Sequence, residues 1–297
     1  MSAYDFNINP DRKVWMNGEF VPADRAAISV FDHAVLYGDG VFEGIRAYQG
    51  TVFRLEQHIQ RFYESARGIR LALPYTPEQT TEAVHDSVRV NGLSDAYIRL
   101  VITRGVGYLG LNPFKTVRPV MFIIADQLAL YPKELYRDGM PVITASTVRN
   151  HPNAVSPRVK SLNYLNNILA QIEAIDAGVH EAIMFNHLGF VAEATGDNVF
   201  VVRRGQLHTP PTAAGILEGV TRNFVIELAA KRDIEVIEKD LVRQDLYGAD
   251  ECFLTGTGAE IAPITKIDGR PIGDGTVGTI TRQLMDEFAA VTGSPIG

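Results

Sequence analysis

Apolar and polar positions along the chain follow two periods. Over residues 56–71 apolar side chains fall at Ile59, Phe62, Ala66 and Ile69, the three-to-four spacing of one helix face. Thr76-Pro77-Glu78-Gln79 predicts the start of a second helix, with Thr76 as N-cap, Pro77 at the first helical position and Gln79 closing a capping box. Asn91-Gly92 ends it. The helical spacing returns after Tyr164 at Leu165, Ile168, Leu169, Ile172 and Ile175 and stops at Gly178. It recurs over 221–231, with Phe224, Val225, Leu228 and Ala229 on one face, and over 276–291. Between these helices lie β-branched and apolar runs that predict strands. They cover 51–55, 96–103, 119–126, 141–147, 181–186, 190–194, 198–203, 234–238 and 251–255. Residues 14–22 read as a hairpin turning at Asn17-Gly18. A further strand follows the glycine-rich turn Gly38-Asp39-Gly40, and 104–110 form a glycine-rich loop. Helices and strands mix without regular βαβ alternation, which predicts an α+β fold.

The length, 297 residues, calls for two domains. Leu130-Tyr131-Pro132-Lys133-Glu134 reads as a connector. The expected division is a small α+β domain over 1–129, a linker over 130–137 and a larger domain over 138–297. A hydrophobic fraction of 46% and a charged fraction of 21% are those of a globular protein with a sizeable core. The net charge of −7 argues against a nucleic-acid partner, because phosphate backbones demand a basic face. A single cysteine, Cys252, excludes an internal disulfide and a cysteine metal cluster, and the seven histidines show no metal-ligand spacing. Residues 1–10 lack the apolar core of a signal peptide, and no apolar run reaches membrane-spanning length. A cytoplasmic protein with neither metal nor membrane partner is expected.

The candidate chemistry centres on Lys160, between Ser156-Pro157 and the helix that begins near Tyr164. A lysine amine becomes a useful nucleophile when its pKa falls or when a carbonyl cofactor captures it as a Schiff base. Glu193 sits at a strand–turn–strand. Leu217-Glu218-Gly219-Val220-Thr221-Arg222 leads into a helix whose first amides are free donors at the positive end of the macrodipole. Thr255-Gly256-Thr257-Gly258 ends a strand with a second nest of amides, and Arg54 offers a cation. Singly, these are equally a surface lysine, a loop acid, a helix start and a turn. Together they match what pyridoxal 5'-phosphate requires of a protein. A lysine holds its aldehyde, a carboxylate keeps its ring nitrogen protonated, a donor (Tyr164) faces its phenolic oxygen, and amides with a cation hold its phosphate.

Glu193-Ala194-Thr195, Asn198-Val199-Phe200, Leu207-His208-Thr209 and Leu217-Glu218-Gly219-Val220-Thr221-Arg222 resemble the signature of class IV pyridoxal-phosphate aminotransferases. The segment from Tyr37 through Gly38-Asp39-Gly40-Val41-Phe42-Glu43-Gly44 to Arg46 looks like the branched-chain-amino-acid aminotransferases within that class. So do Tyr97-Ile98-Arg99, Lys160-Ser161-Leu162-Asn163-Tyr164 and Thr255-Gly256-Thr257. The resemblance covers nearly the whole chain. It implies the fold-type IV architecture, a small α+β N-terminal domain and a larger C-terminal domain with a β-barrel-like core, with the cofactor between them, and at least a homodimer. It implies that Lys160 is the catalytic Schiff-base lysine, that Glu193 faces the pyridine nitrogen and that Tyr164 faces the phenolic oxygen. Arg54, Val220, Thr221 and Thr257 would hold the phosphate, with Leu217 and Gly219 also on the cofactor-binding side. Tyr37, Phe42, Tyr97 and Arg99 would serve the substrate, and the Thr257-Gly258 amides would receive its carboxylate. The expected reaction moves the amino group of leucine, isoleucine or valine to 2-oxoglutarate, so the partners are small amino acids and 2-oxo acids. The Gly38-Asp39-Gly40 turn also occurs in D-amino-acid aminotransferases and aminodeoxychorismate lyases, which stand as the alternative. A non-catalytic dimeric binding protein on the same scaffold is a third reading. Phe42-Glu43-Gly44 and Tyr97-Ile98-Arg99 favour the branched-chain branch.

Overall fold

The computed structural model describes residues 9, 11–127 and 130–294. Two compact units emerge: Met1–Leu128 with Lys160–Asn163, and Ala129–Val159 with Tyr164–Gly297. The domain boundary expected after residue 129 falls on 128–129, outside the described residues.

The first unit contains β1 (Lys13–Met16), β2 (Glu19–Pro22), α1 (His33–Tyr37), β3 (Gly40–Tyr48), β4 (Thr51–Val52), α2 (Leu55–Gly68), α3 (Pro77–Val90), β5 (Ala96–Thr103) and β6 (Met121–Asp126). Its six strands form an antiparallel sheet in the order β2-β1-β6-β5-β3-β4. The β1–β2 hairpin turns at Asn17 and Gly18, whose φ of 47° and 98° suit the type I′ geometry matched to strand twist. α2 packs on β3 and buries Ile59, Phe62 and Ala66 of the predicted face, while Ile69, the fourth position, is its C-cap. The α3 capping box is formed: the Gln79 amide N–H donates to Thr76 Oγ1 at 3.3 Å, and the Thr76 N–H donates to Gln79 Oε1 at 2.9 Å.

The second unit contains α4 (Lys133–Asp138), β7 (Met140–Thr144), α5 (Leu165–Asp176), β8 (Ala182–Phe185), β9 (Val191–Ala194), β10 (Asn198–Arg203), β11 (Gln206–Thr209), α6 (Val220–Ala230), β12 (Val236–Glu238), α7 (Arg243–Tyr247), β13 (Glu251–Gly256), β14 (Glu260–Ile267), β15 (Arg270–Pro271) and α8 (Thr279–Thr292). The sheet runs β12-β11-β10-β13-β14-β7-β8-β9, with β15 on β14. It curls until β9 lies beside β10, where the Ala194 N–H donates to the Asp197 carbonyl at 2.7 Å. Met140, Val142, Ile183, Phe185, Val191, Val199, Val201, Leu254 and Ile264 fill the interior, giving the β-barrel-like core expected of the fold.

One stripe departs from expectation. On α5 the buried residues are Asn167, Ala170 and Ala174. The apolar positions Leu165, Ile168, Leu169, Ile172 and Ile175 are instead 47–66% exposed. The inner face of α5 packs Ala170 and Ala174 with Ala145, Ala182 and Met184, and the aliphatic stripe faces outward.

Candidate active site

In the first unit, residues 160–162 extend the sheet beyond β3. Ser161 bridges Val41, the Phe42 N–H donates to the Lys160 carbonyl at 3.0 Å, and the Leu162 N–H donates to the Gly40 carbonyl at 3.0 Å. The approach requires glycine at 40, since a Cβ there would stand 2.5 Å from the Ile102 carbonyl oxygen and 2.6 Å from Leu162 Cδ1. The register sets Gly44 opposite Arg99 and Arg46 opposite Tyr97, so Phe42, Tyr97 and Arg99 share one sheet face. Lys160 Nζ lies 4.7 Å from the Phe42 ring centroid, and the Arg99 guanidinium carbon lies 4.4 Å from it. Arg99 Nη2 also donates to the Tyr97 hydroxyl at 3.2 Å. A Cβ on Gly44 would fall 2.3 Å from that hydroxyl, so the glycine makes room for the tyrosine. Tyr37 closes α1, edge-on to the His33 ring.

Behind this face lies a charged cluster that the sequence alone did not disclose. Glu43 is fully buried. Arg61 donates to its oxygens through Nε at 2.8 Å and Nη2 at 2.7 Å, and His58 Nδ1 lies 2.8 Å from Oε2. Burial pushes the Glu43 carboxyl up, but the Arg61 charge and the hydrogen bonds from Arg61 and His58 outweigh it and hold the pKa at about 2. Burial pushes the His58 imidazole down, so the neutral ring donates its Nδ1 proton to the carboxylate. Ser65, on the same helix face, accepts the Lys160 amide N–H at 3.1 Å. The available signal was His58-x-x-Arg61 on an otherwise apolar helix face. Arg54 caps α2 in the left-handed region, with its guanidinium carbon 5.9 Å from the Phe53 ring.

In the second unit Glu193 is 5% exposed on β9. Its Oε1 accepts from Arg149 Nε at 2.9 Å, and its Oε2 accepts from the Leu217 N–H at 2.9 Å and Asn198 Nδ2 at 3.3 Å. Tyr164 precedes the first turn of α5. α6 begins after Gly219 with no side-chain cap, leaving the amides of Val220 and Thr221 for an outside acceptor. A Cβ on Gly219 would fall 2.1 Å from Asn198 Oδ1. Thr257 and Gly258 form the turn between β13 and β14. Beside it, Thr255 Oγ1 is buried with no hydrogen-bond partner among the described residues. An uncapped helix start, a glycine cradle and an orphaned hydroxyl fit a ligand with an anionic oxygen group. Among the described residues no cluster of three or more histidine, cysteine or acidic side chains forms a metal site.

The profile of the class IV amino-transferases matches residues 40–267, and the chain belongs to that family. A Methanocaldococcus jannaschii protein, provisionally assigned to the branched-chain-amino-acid aminotransferases, is 52% identical over 276 residues, 93% of this chain and 95% of the relative. The branched-chain-amino-acid aminotransferase of Pseudomonas aeruginosa is 39% identical over 283 residues, 94% of this chain and 92% of its own. Two crystal structures of the T.th. branched-chain amino acid aminotransferase resemble the fold with a TM-score of 0.89 at 40% identity, covering 96% of this chain and 95% of that one. One is complexed with N-(5'-phosphopyridoxyl)-L-glutamate and the other with 4-methylvaleric acid.

Proposed function

We propose that this chain is a branched-chain-amino-acid aminotransferase that uses pyridoxal 5'-phosphate to move the amino group of leucine, isoleucine or valine to 2-oxoglutarate. The observation that carries this reading is the Phe42 face, an aromatic wall with the Lys160 amine 4.7 Å and the Tyr97-bonded Arg99 guanidinium 4.4 Å from the ring centroid. Such a face accepts an aliphatic side chain and also supplies a cation for the second carboxylate of glutamate, which an apolar pocket would reject at a cost of several kcal/mol. The relative crystallised with both a phosphopyridoxyl-glutamate and a branched aliphatic acid supports the same pair of substrates.

The bound cofactor supplies a carbonyl for the amino group and a ring that accepts the electron pair left when the substrate Cα–H bond breaks. Lys160 Nζ would hold the cofactor covalently and would be the base that carries the substrate Cα proton. Glu193 would hold the proton of the ring nitrogen, and Tyr164 would donate to the phenolic oxygen. Leu217, Gly219, Val220, Thr221 and Thr257 would hold the phosphate, and the Thr257-Gly258 amides would orient the substrate carboxylate. Arg54 would supply the cation beside the phosphate, whereas Arg61 is already engaged by buried Glu43.

No described helix is long and apolar enough to cross a membrane. The proposed location is the cytoplasm. The outward stripe of α5 supports a homodimer, because an aliphatic surface of this kind is stabilised when a second copy covers it. A panel of L- and D-amino acids assayed with 2-oxoglutarate tests the function. Activity is expected with L-leucine, L-isoleucine and L-valine. A preference for D-alanine, or pyruvate release from aminodeoxychorismate, transfers the chain to the alternative branch.

A further inference from the structure

Glu193 is held by a partner that no cofactor-facing motif contains. Arg149 is 6% exposed, and its pairing with Glu193 is buried on both sides. A buried ion pair of this kind persists when its remaining donors are also satisfied. Arg149 Nη1 donates to Asn166 Oδ1 at 3.1 Å. Asn166 is fixed in turn: its Oδ1 also accepts the Asn150 N–H at 3.2 Å, and its Nδ2 donates to the Val148 carbonyl at 2.8 Å. Asn166 lies in the first turn of α5, two residues after Tyr164. One polar chain therefore runs from the start of α5 through Asn166 and Arg149 to the carboxylate.

We propose that Arg149 is a positioning residue that acts through Glu193 to keep the proton on the ring nitrogen of the bound cofactor. The proposal rests on the aminotransferase reading above. A carboxyl group buried without a charge partner is driven towards its neutral form. A neutral acid facing a pyridine nitrogen keeps the shared proton on oxygen, and the ring loses its capacity as an electron sink. The guanidinium touches the carboxylate, so it stabilises the anion and leaves the proton on nitrogen. Arginine suits this place because its planar fork reaches Glu193 with one arm and Asn166 with another, which the single ammonium of lysine cannot do.

The test uses full-length protein reconstituted with pyridoxal phosphate labelled with 15N in the ring, since the nitrogen chemical shift reports its protonation directly. The wild-type resonance is expected at the pyridinium position. Arg149→Met moves it towards unprotonated pyridine and lowers kcat roughly 10- to 100-fold, with KM for leucine little changed. Arg149→Lys and Asn166→Ala fold more readily and are expected to move the resonance part of the way. Glu193→Gln is expected to reproduce the Arg149→Met spectrum, and the double variant to be no slower than Glu193→Gln alone. A wild-type shift in all the folded Arg149 and Asn166 variants overturns the proposal and leaves Arg149 a brace of the fold. So does an unprotonated wild-type nitrogen. Failure of the wild type to take up the cofactor is a separate result, visible before any variant is made, and removes the aminotransferase reading together with the proposal.

Discussion

Replacing Glu43 by glutamine tests how the Lys160 segment is supported. The carboxylate is fully buried and takes two hydrogen bonds from Arg61 and one from His58, at 2.7–2.8 Å. A carboxyl whose pKa falls from 4.5 to about 2 has been stabilised as the anion by about 3 kcal/mol. Glutamine keeps the shape but leaves the mostly buried Arg61 charge uncompensated, which costs roughly 3–5 kcal/mol. The sign of the pH dependence follows from the lowered pKa. The stabilisation is fully present above about pH 4.5 and is lost as pH falls towards 2. Urea unfolding of wild type and Glu43→Gln should therefore differ by about 3 kcal/mol or more at pH 7, and the gap should close on acidification below pH 4.5. A difference under about 1 kcal/mol at pH 7, or one that stays constant down to pH 3, refutes the reasoning.

Arg99→Ala removes the charge proposed to pair with the distal carboxylate of glutamate. Single-turnover rates with glutamate or 2-oxoglutarate should fall roughly 10- to 150-fold, from about 1.5–3 kcal/mol of lost charge-assisted bonding, and those with leucine far less. Equal losses assign Arg99 to structure alone. Fluorescence titration of the apoprotein with pyridoxal phosphate should show about 10-fold or greater weakening for Arg54→Ala; an unchanged affinity removes Arg54 from the phosphate site. Ile172→Glu places a charge in the exposed α5 stripe and should shift the protein towards monomer in sedimentation velocity, whereas an unchanged mass removes that stripe from the interface.

Much of the fold was legible because local signals and tertiary packing agree. The Asn17-Gly18 turn, the Thr76 capping box and the strands Ala96–Thr103 and Asn198–Arg203 stand where periodicity and turn chemistry place them. The departures have physical causes. β14 carries no clear strand signal because Pro263 interrupts its apolar run, and β11 carries none because Gln206, His208 and Thr209 are polar. α4 occupies the stretch expected as a connector, where Pro132 gives the stronger local signal. The α5 stripe shows that helical periodicity identifies an apolar face but not what covers it. In the candidate site, Lys160 and Glu193 stand out only through the family resemblance of the motifs around them. The partners that fix them, Ser65 and Arg149, lie 95 and 44 residues away along the chain, and pairings of that range leave no local pattern.

The most direct test is borohydride reduction of the protein with bound pyridoxal phosphate, followed by proteolysis and mass mapping. The pyridoxyl adduct is expected on the peptide that carries Lys160, and Lys160→Ala should bind the cofactor without becoming labelled. An adduct on any other lysine, or none in protein saturated with the cofactor, contradicts the account.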